Sequence, residues 1–240
     1  MDVDGANRTR LTNHPADDGY PAFSPDGQRI SFDSDRDEGS FEIYTMNADG
    51  SDVRRLTYNS ARDVSASWAP DGSQIAWMSD RSGRFEIWLM NSDGSNQHQF
   101  TDVAAPSLGT HWFPQWSSNG EYLAFHVERD VHTVRTNGSD YTRLTVDPDN
   151  GMVPSWTPEG HLVFMSWRAG TTEIYRMNAD GSDVARLTHT EMGESIDPRV
   201  SPDGSKIVYT WVPSGATGSK HLMLVDIDGT NVKQLTETTH

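Results

Sequence analysis

Five positions, each three residues before a proline or its counterpart, hold Asp18, Asp63, His111, Gly151 and Ser195. If these converge with Glu194 and Asp197, they make an acidic funnel at the mouth of a channel. Hard carboxylate oxygens suit calcium, so Asp18, Asp63 and His111 are the candidate cation ligands. No other cofactor is required. A second column is Arg36, Arg81, Arg129 and Arg168, preceded in three cases by Asp35, Asp80 and Glu128. Its guanidinium forks could bind an acidic sugar or a peptide carboxylate, but a clamp on loop carbonyls and neighbouring carboxylates is the expectation. His111 and Trp112 stand close in sequence to His126 and His132. Three imidazoles could ligate a transition metal, yet no His-Glu-x-x-His spacing is present, and His126 and His132 fall on different strands. A notch with His111, Trp112 and Trp167 as exposed contacts is expected instead. Aromatic rings beside carboxylates also suit sugars.

Other chemistries are excluded or weak. The chain has no Cys, which removes disulfides, thiolate metal sites and a Cys nucleophile. Ser195 lies in "ESIDP" without a Gly-x-Ser-x-Gly elbow. "DSDRDEG" at 33–39 opens like a calcium loop, but Glu38 stands where that loop needs glycine. With 35 acidic and 19 basic residues the formal charge is −16, a surface that repels nucleic acid and anionic lipid. No apolar run is long enough to span a bilayer, and "MDVDGANRTR" carries no signal core.

The elements that position these residues follow from a repeat. Leu-Thr or Phe-Thr ends a phrase at Thr12, Thr57, Thr101, Thr145, Thr188 and Thr236, at spacings of 45, 44, 44, 43 and 48. A second marker keeps step with it: "FSPDG", "WAPDG", "WSSNG", "WTPEG" and "VSPDG". Pro-Asp-Gly joins two short alternating runs, and Asp-Gly in "MNADGSDVRRLT" joins two more. Each period of about 44 residues is therefore four antiparallel strands, the signature of a propeller blade. One single domain over 1–240 is expected, with units at about 13–57, 58–101, 102–145, 146–188 and 189–236. Residues 1–12 match a last strand and predict an extra N-terminal strand used in ring closure.

The columns predict the core. Phe23, Trp68, Trp116, Trp156 and Val200 share one position of the first strand, and Phe32, Trp77, Phe125, Phe164 and Tyr209 one of the second. Ile43, Ile87, Val131 and Ile174 share one of the third. All are expected to pack between blades. The tight Pro-Asp-Gly and Asp-Gly turns read as structural, and the loops on the opposite face as the place for binding.

The run Pro-x-Trp-Ser-Pro-Asp-Gly, then Ser-Asp-Arg, then Glu-Ile-Tyr-x-Met-Asn-x-Asp-Gly and Leu-Thr resembles the TolB-type, WD-repeat-like β-propeller (PD40) repeat across essentially the whole chain. The resemblance implies an all-β propeller, five-bladed here by the repeat count. Related propellers occur in periplasmic TolB, which binds protein segments, in prolyl oligopeptidase-like peptidases and in some polysaccharide lyases. At 240 residues the chain has no room for a second α/β or hydrolase domain. The expected function is non-catalytic binding of a peptide segment or polysaccharide at the variable-loop face, with calcium at the channel mouth as an option. The site residues are Asp18, Asp63, His111, Trp112, His126, Arg129, Trp167, Arg168, Glu194 and Asp197. The expected setting is the periplasm or the extracellular space, and the expected state a monomer. The alternatives are a glycosidase or polysaccharide lyase using funnel carboxylates or His, and a repeat-array fragment that assembles through strand exchange.

Overall fold

A computed structural model describes residues 1–240 apart from Val3, Glu38, 102–108, 147–149, 216–218 and 237–240. Among the described residues there are twenty strands and no helix. The first sheet holds β1 (Asp18–Phe23), β2 (Arg29–Ser34), β3 (Glu42–Asn47) and β4 (Arg54–Arg55), and the second β5 (Asp63–Trp68), β6 (Gln74–Ser79), β7 (Glu86–Asn91) and β8 (His98–Gln99). The third holds β9 (His111–Trp116), β10 (Tyr122–Val127), β11 (Asp130–Arg135) and β12 (Thr142–Arg143), and the fourth β13 (Met152–Trp156), β14 (Leu162–Ser166), β15 (Glu173–Met177) and β16 (Ala185–Arg186). The fifth holds β17 (Gly193–Val200), β18 (Lys206–Pro213), β19 (His221–Asp226) and β20 (Lys233–Gln234). In every sheet the strands lie in sequence order.

The chain clusters into two compact units. One comprises Arg10–Glu128 with Val134–Tyr141; the other comprises Met1–Thr9, Arg129–Thr133 and Thr142–His240. In the first, the β1–β2 turn is built as its residues dictate. Gly27 N–H donates to Ser24 O at 2.8 Å, and Asp26 Oδ1 accepts from the Ser24 hydroxyl at 2.6 Å and the Gln28 N–H at 3.0 Å. In the β3–β4 turn, Gly50 (φ 87°) is irreplaceable, because a Cβ there would stand 2.7 Å from Leu11 O.

Packing follows the columns. Phe32, Trp77, Phe125, Phe164 and Tyr209 are buried, as are Ile43, Ile87, Val131 and Ile174. Trp77 joins Ile43, Leu56, Ala66, Ile75 and Met90 in one cluster, so the seam between the first two sheets is filled from both sides. Burying one indole removes on the order of 200 Å² from water and contributes about 5 kcal/mol before entropy is counted. The first-strand column is less uniform than its residue types imply. Trp68 and Trp116 pack half-buried against core clusters, whereas Phe23 is 64% exposed. Phe23 is thus a correction: its ring is exposed where the column predicted packing.

Residues 1–12 carry no strand among the described positions, which corrects the expectation of an extra one. In their own unit, Gly5 and Arg8 instead lie against the carbonyl of Leu235. Arg8 Nη2 donates to it at 3.0 Å, and a Cβ on Gly5 would come within 2.5 Å.

Candidate functional site

Each first strand carries a bulge at the same place. The register slips between Gly19 and Ala22, Val64 and Ser67, Trp112 and Gln115, Met152 and Ser155, and Ile196 and Arg199. The cause is one left-handed residue in each: Tyr20, Ser65, Phe113, Val153 and Asp197 have φ between 45° and 56°. For a non-glycine residue this costs roughly 1–2 kcal/mol. The bulge turns each side chain out of the strand alternation. The freed N–H is caught by the second strand of the preceding sheet. Ser65 N–H donates to Asp33 Oδ1 at 3.2 Å, and Phe113 N–H lies 3.1 Å from Met78 Sδ.

In the unit holding the first two blades these bulges line a cavity of about 290 Å³. Its walls include Tyr20, Phe41, Phe85, Trp112 and Phe113, with Asp18, Asp33 and Arg62 as charged members. Tyr20 and Phe113 meet with ring centroids 5.4 Å apart. Arg62 is exposed, and its guanidinium lies 5.9 Å from the Phe41 ring and 5.7 Å from that of Phe85. Among the described residues it forms no ion pair with a carboxylate. Asp33 is 2% exposed. Burial pushes its carboxyl up to about 6, against the pull of the Ser65 N–H and Arg62; the charge of Asp18 adds to the rise. Asp33 can therefore offer either a proton or a lone pair near neutrality.

The residues singled out from sequence divide among three settings. Asp18 lines this cavity, held by Arg36 at 2.8 Å. Burial raises its carboxyl, but hydrogen bonds from Ser34, Arg36 and Thr12 and the Arg36 charge hold it below the usual value. Trp112 also lines it, stacked on His126 at 6.4 Å and 12°. His126 is buried beneath Trp112 and Phe113 rather than exposed.

Asp63 and His111 are not at an open mouth. Both are buried in latches between blades, beside the carboxylate, Glu42 or Glu86, that begins the third strand of the preceding sheet. Glu86 accepts from Thr101 Oγ1 at 2.6 Å and Arg84 Nε at 2.5 Å, and His111 Nδ1 lies 2.9 Å away. Burial pushes Glu86 up, but the His111 imidazole and the Thr101 hydroxyl bring it below the ordinary value. One blade earlier, Asp63 is held by Arg81 at 2.6 Å and Asn59 at 2.7 Å. Its neighbour Glu42 is raised by burial and by the Asp63 charge, and Glu42 Oε2 and Asp63 Oδ1 are both buried without a hydrogen-bond partner. Ser195 fills the same role through Thr190, at 2.8 Å. His132 is buried too.

The arginine column clamps, but onto rings and side chains. Arg81 donates to Ser79 and Asp63 and lies 4.5 Å from the Trp88 ring. Arg36 repeats this over Phe32 and Tyr44 and Arg168 over Phe164 and Tyr175, each with a serine. Arg129 departs from the pattern: it is exposed, 5.8 Å from the Trp167 ring. Trp167, Arg168 and Arg129 belong to the second unit, as do Glu194 and Asp197, both exposed on β17. Asp18 and Asp63, two candidate calcium ligands, each hold an arginine. Among the described residues no three His, Asp or Glu side chains are grouped to hold a metal ion. Glu38 lies outside those residues.

Sequence reasoning missed Arg62, Phe41 and Phe85, and met Asp33 only as the head of a weak calcium loop. Asp33 did leave a signal: its column reads Asp33, Met78, His126, Met165 and Thr210, with one acid among softer residues.

Compared with known proteins, the sequence matches the family described as TolB beta propeller domain over residues 1–126 and 101–240. The chain belongs to that family. It is 30% identical over 130 residues to the uncharacterized protein Atu1656 of Agrobacterium fabrum, covering 50% of this chain and 44% of that one. It spans less than half the length of the curated relatives it matches. A protein of Agrobacterium tumefaciens assigned as TolB superposes with a TM-score of 0.83 at 23% identity, over 94% of this chain and 83% of that one. An oligogalacturonate lyase solved with manganese superposes at 0.67 and 17% identity, over 95% of this chain and 68% of that one. At such identities the likeness shows the fold alone. That fold is a five-bladed β-propeller of four-stranded antiparallel blades.

Proposed function

We propose that this TolB-family propeller is a non-catalytic binding module that takes a peptide segment at the cavity beside Tyr20, Trp112 and Phe113. The observation that carries the reading is Arg62. It is an exposed guanidinium between two phenyl rings, without a carboxylate partner among the described residues, at the edge of an aromatic cavity. A volume of about 290 Å³ suits one large side chain. Five aromatic rings beside one cation and the carboxyls of Asp17, Asp18 and Asp33 suit an apolar or aromatic side chain whose flanking backbone N–H groups meet the acids. Asp33 would receive a backbone N–H and Arg62 a carbonyl or carboxylate. The His111–Glu86 pair supports a binding role over a catalytic one, since it is sealed in a seam that a serine fills elsewhere. On this reading the protein works in the periplasm or outside the cell, the setting that the TolB resemblance implies.

The test is a titration monitored by indole and arginine side-chain resonances. N-acetyl-phenylalanine and N-acetyl-phenylalanine amide are expected to shift Trp112 and Arg62, and Trp112→Ala to lose the response. Perturbation by oligogalacturonate alone, or by none of the three, would refute the peptide reading.

A further inference from the structure

Three arginines of the second column lie across a pair of rings that face each other on the second and third strands of their sheet. Arg36 stands 5.0 Å from both Phe32 and Tyr44, Arg81 stands 5.5 and 4.5 Å from Trp77 and Trp88, and Arg168 stands 5.3 and 5.0 Å from Phe164 and Tyr175. In the second sheet the guanidinium is also held from the side. Arg81 Nη1 donates to Gln97 Oε1 at 3.1 Å, and Gln97 Nε2 donates to the carbonyl of Leu56, which follows the last strand of the first sheet. The Gly94 turn closes the edge against that same carbonyl. Each guanidinium thus fills a slot in a seam between sheets. The third sheet fills its slot another way. Arg129 is exposed, and Tyr141, at the position of Gln97, packs on Phe125 with ring centroids 5.8 Å apart.

The slot of the fifth sheet has lost its arginine. Trp211 stands where Ser79 does, paired with the latch residue, and Pro213 stands where Arg81 does. The indole does not take over the arginine's place. It packs on His221 with ring centroids 5.5 Å apart, and its Nε1 lies so near Gly193 that a Cβ there would stand at 2.6 Å. Val232 replaces Gln97 and is exposed. What remains, inside the unit that holds the fourth and fifth sheets, is a cavity of about 320 Å³. Tyr209, Trp211, Met223, Leu187, Gly229 and Val232 line it. Tyr209 and Met223 are the facing pair of this sheet, and Leu187 and Gly229 match Leu56 and Gly94.

We propose that this cavity is a receptor for an arginine side chain supplied by a partner polypeptide. The filled slots define the ligand: a planar cation that stacks on an aromatic face while its stem lies along an aliphatic wall. Arg168 shows that a carboxylate partner is not required. Among the described residues it forms no ion pair, and its guanidinium rests on two rings and the Ser166 hydroxyl. In the fifth slot Tyr209 and Trp211 offer rings, Met223 a polarizable sulfur, and Thr188 and Thr190 hydroxyl oxygens. The local field also suits a cation. Glu173 accepts from both threonine hydroxyls, and burial, then the Glu173 charge, pushes the Tyr209 phenol up to about 12. A chain of charge −16 further favours a basic partner.

The probe is N-acetyl-arginine N-methylamide, added to the isotope-labelled full chain. It is expected to shift the Trp211 indole and Met223 methyl resonances and to leave Trp112 unmoved. N-acetyl-lysine N-methylamide is expected to bind about tenfold more weakly, since it lacks the planar face. Val232→Tyr, a change at an exposed site that copies Tyr141, is expected to fill the cavity and weaken arginine binding by about tenfold or more. Val53→Tyr, the same position in the first sheet, where Arg36 fills the slot, keeps full affinity. Trp211→Ser combined with Pro213→Arg rebuilds the second-sheet sequence and is expected to seat its own guanidinium and abolish binding. No shift at millimolar arginine probe, or shifts centred on Trp112, overturns the proposal. So does equal binding of the lysine probe or of N-acetyl-phenylalanine amide at Trp211, or undiminished binding to Val232→Tyr.

Discussion

Asp33→Asn isolates the energetics of the cavity. Asp33 is 2% exposed, and its carboxyl is displaced from 3.8 to about 6, so ionising it in the folded chain costs roughly 3 kcal/mol more than in the unfolded one. The folded value lies above the unfolded one. The contribution of the neutral acid is therefore fully present below about pH 4, falls as the pH rises to about 6, and is gone above that. Asparagine keeps an oxygen for the Ser65 N–H, now at 3.2 Å, and cannot ionise. Urea unfolding followed by indole fluorescence across about pH 4–8 should show the wild type losing roughly 3 kcal/mol relative to the variant, with the divergence complete near pH 6. Other carboxyls titrate in both proteins and cancel in the difference. Parallel profiles, or a variant that loses stability relative to the wild type as pH rises, would refute the reasoning that burial controls this group.

Arg81→Ala should destabilise by about 3 kcal/mol, because it leaves the fully buried Asp63 without its 2.6 Å partner and strips a cation from the faces of Trp77 and Trp88. Lysine should recover only part of the loss, since it lacks the planar fork; both are measured by urea denaturation. Gly50→Ala should cost more than 2 kcal/mol, since a Cβ would stand 2.7 Å from Leu11 O at φ 87°. Gly27→Ala, at φ 69° with open space around it, should cost only about 1 kcal/mol in the same assay.

The blades could be read from the sequence because their causes are local and repeated. Pro-Asp-Gly and Asp-Gly set turns wherever they stand, and an aromatic column at one strand position needs a neighbour to bury it. The candidate site could not be read in the same way. Asp63 and His111 align with Asp18, and alignment gives a shared position without saying what it faces. Only the partners Glu42 and Glu86, on the third strand of the preceding blade, show that the position is a latch and not a lip. Asp33 was met only as the head of a calcium-like run, and its place in the cavity was missed for the opposite reason. Its importance lies in differing from Met78 and Met165, and a search for repeated chemistry passes over the one member that breaks the pattern. Phe23 shows the limit of composition: residue type predicted burial, but burial also needs a covering surface, and among the described residues Phe23 stays 64% exposed.

The latch column and the bulge column teach different things about where binding evolves on this scaffold. At the latch the residue changes from Asp63 to His111 to Ser195 beside a buried acid at the head of a third strand: His111 contacts that acid directly, Ser195 does so through Thr190, and Asp63 adds a like charge that Arg81 holds. Every one of these residues is sealed in a seam, so even a His–Glu contact at 2.9 Å is read as structure. At the bulge the backbone is what stays fixed. Tyr20, Ser65, Phe113, Val153 and Asp197 share a left-handed conformation that none of them favours. Side chains so unlike cannot all be there to stabilise one backbone. Of the five, Tyr20 and Asp197 are exposed and Phe113 is half-buried, whereas Ser65 and Val153 are buried, so the bulge gives one constant backbone whose side chain reaches solvent in some blades and packs inward in others. Where the side chain reaches solvent beside the cavity, at Tyr20 and Phe113, the bulge supports placing the proposed site there and not on the acidic column.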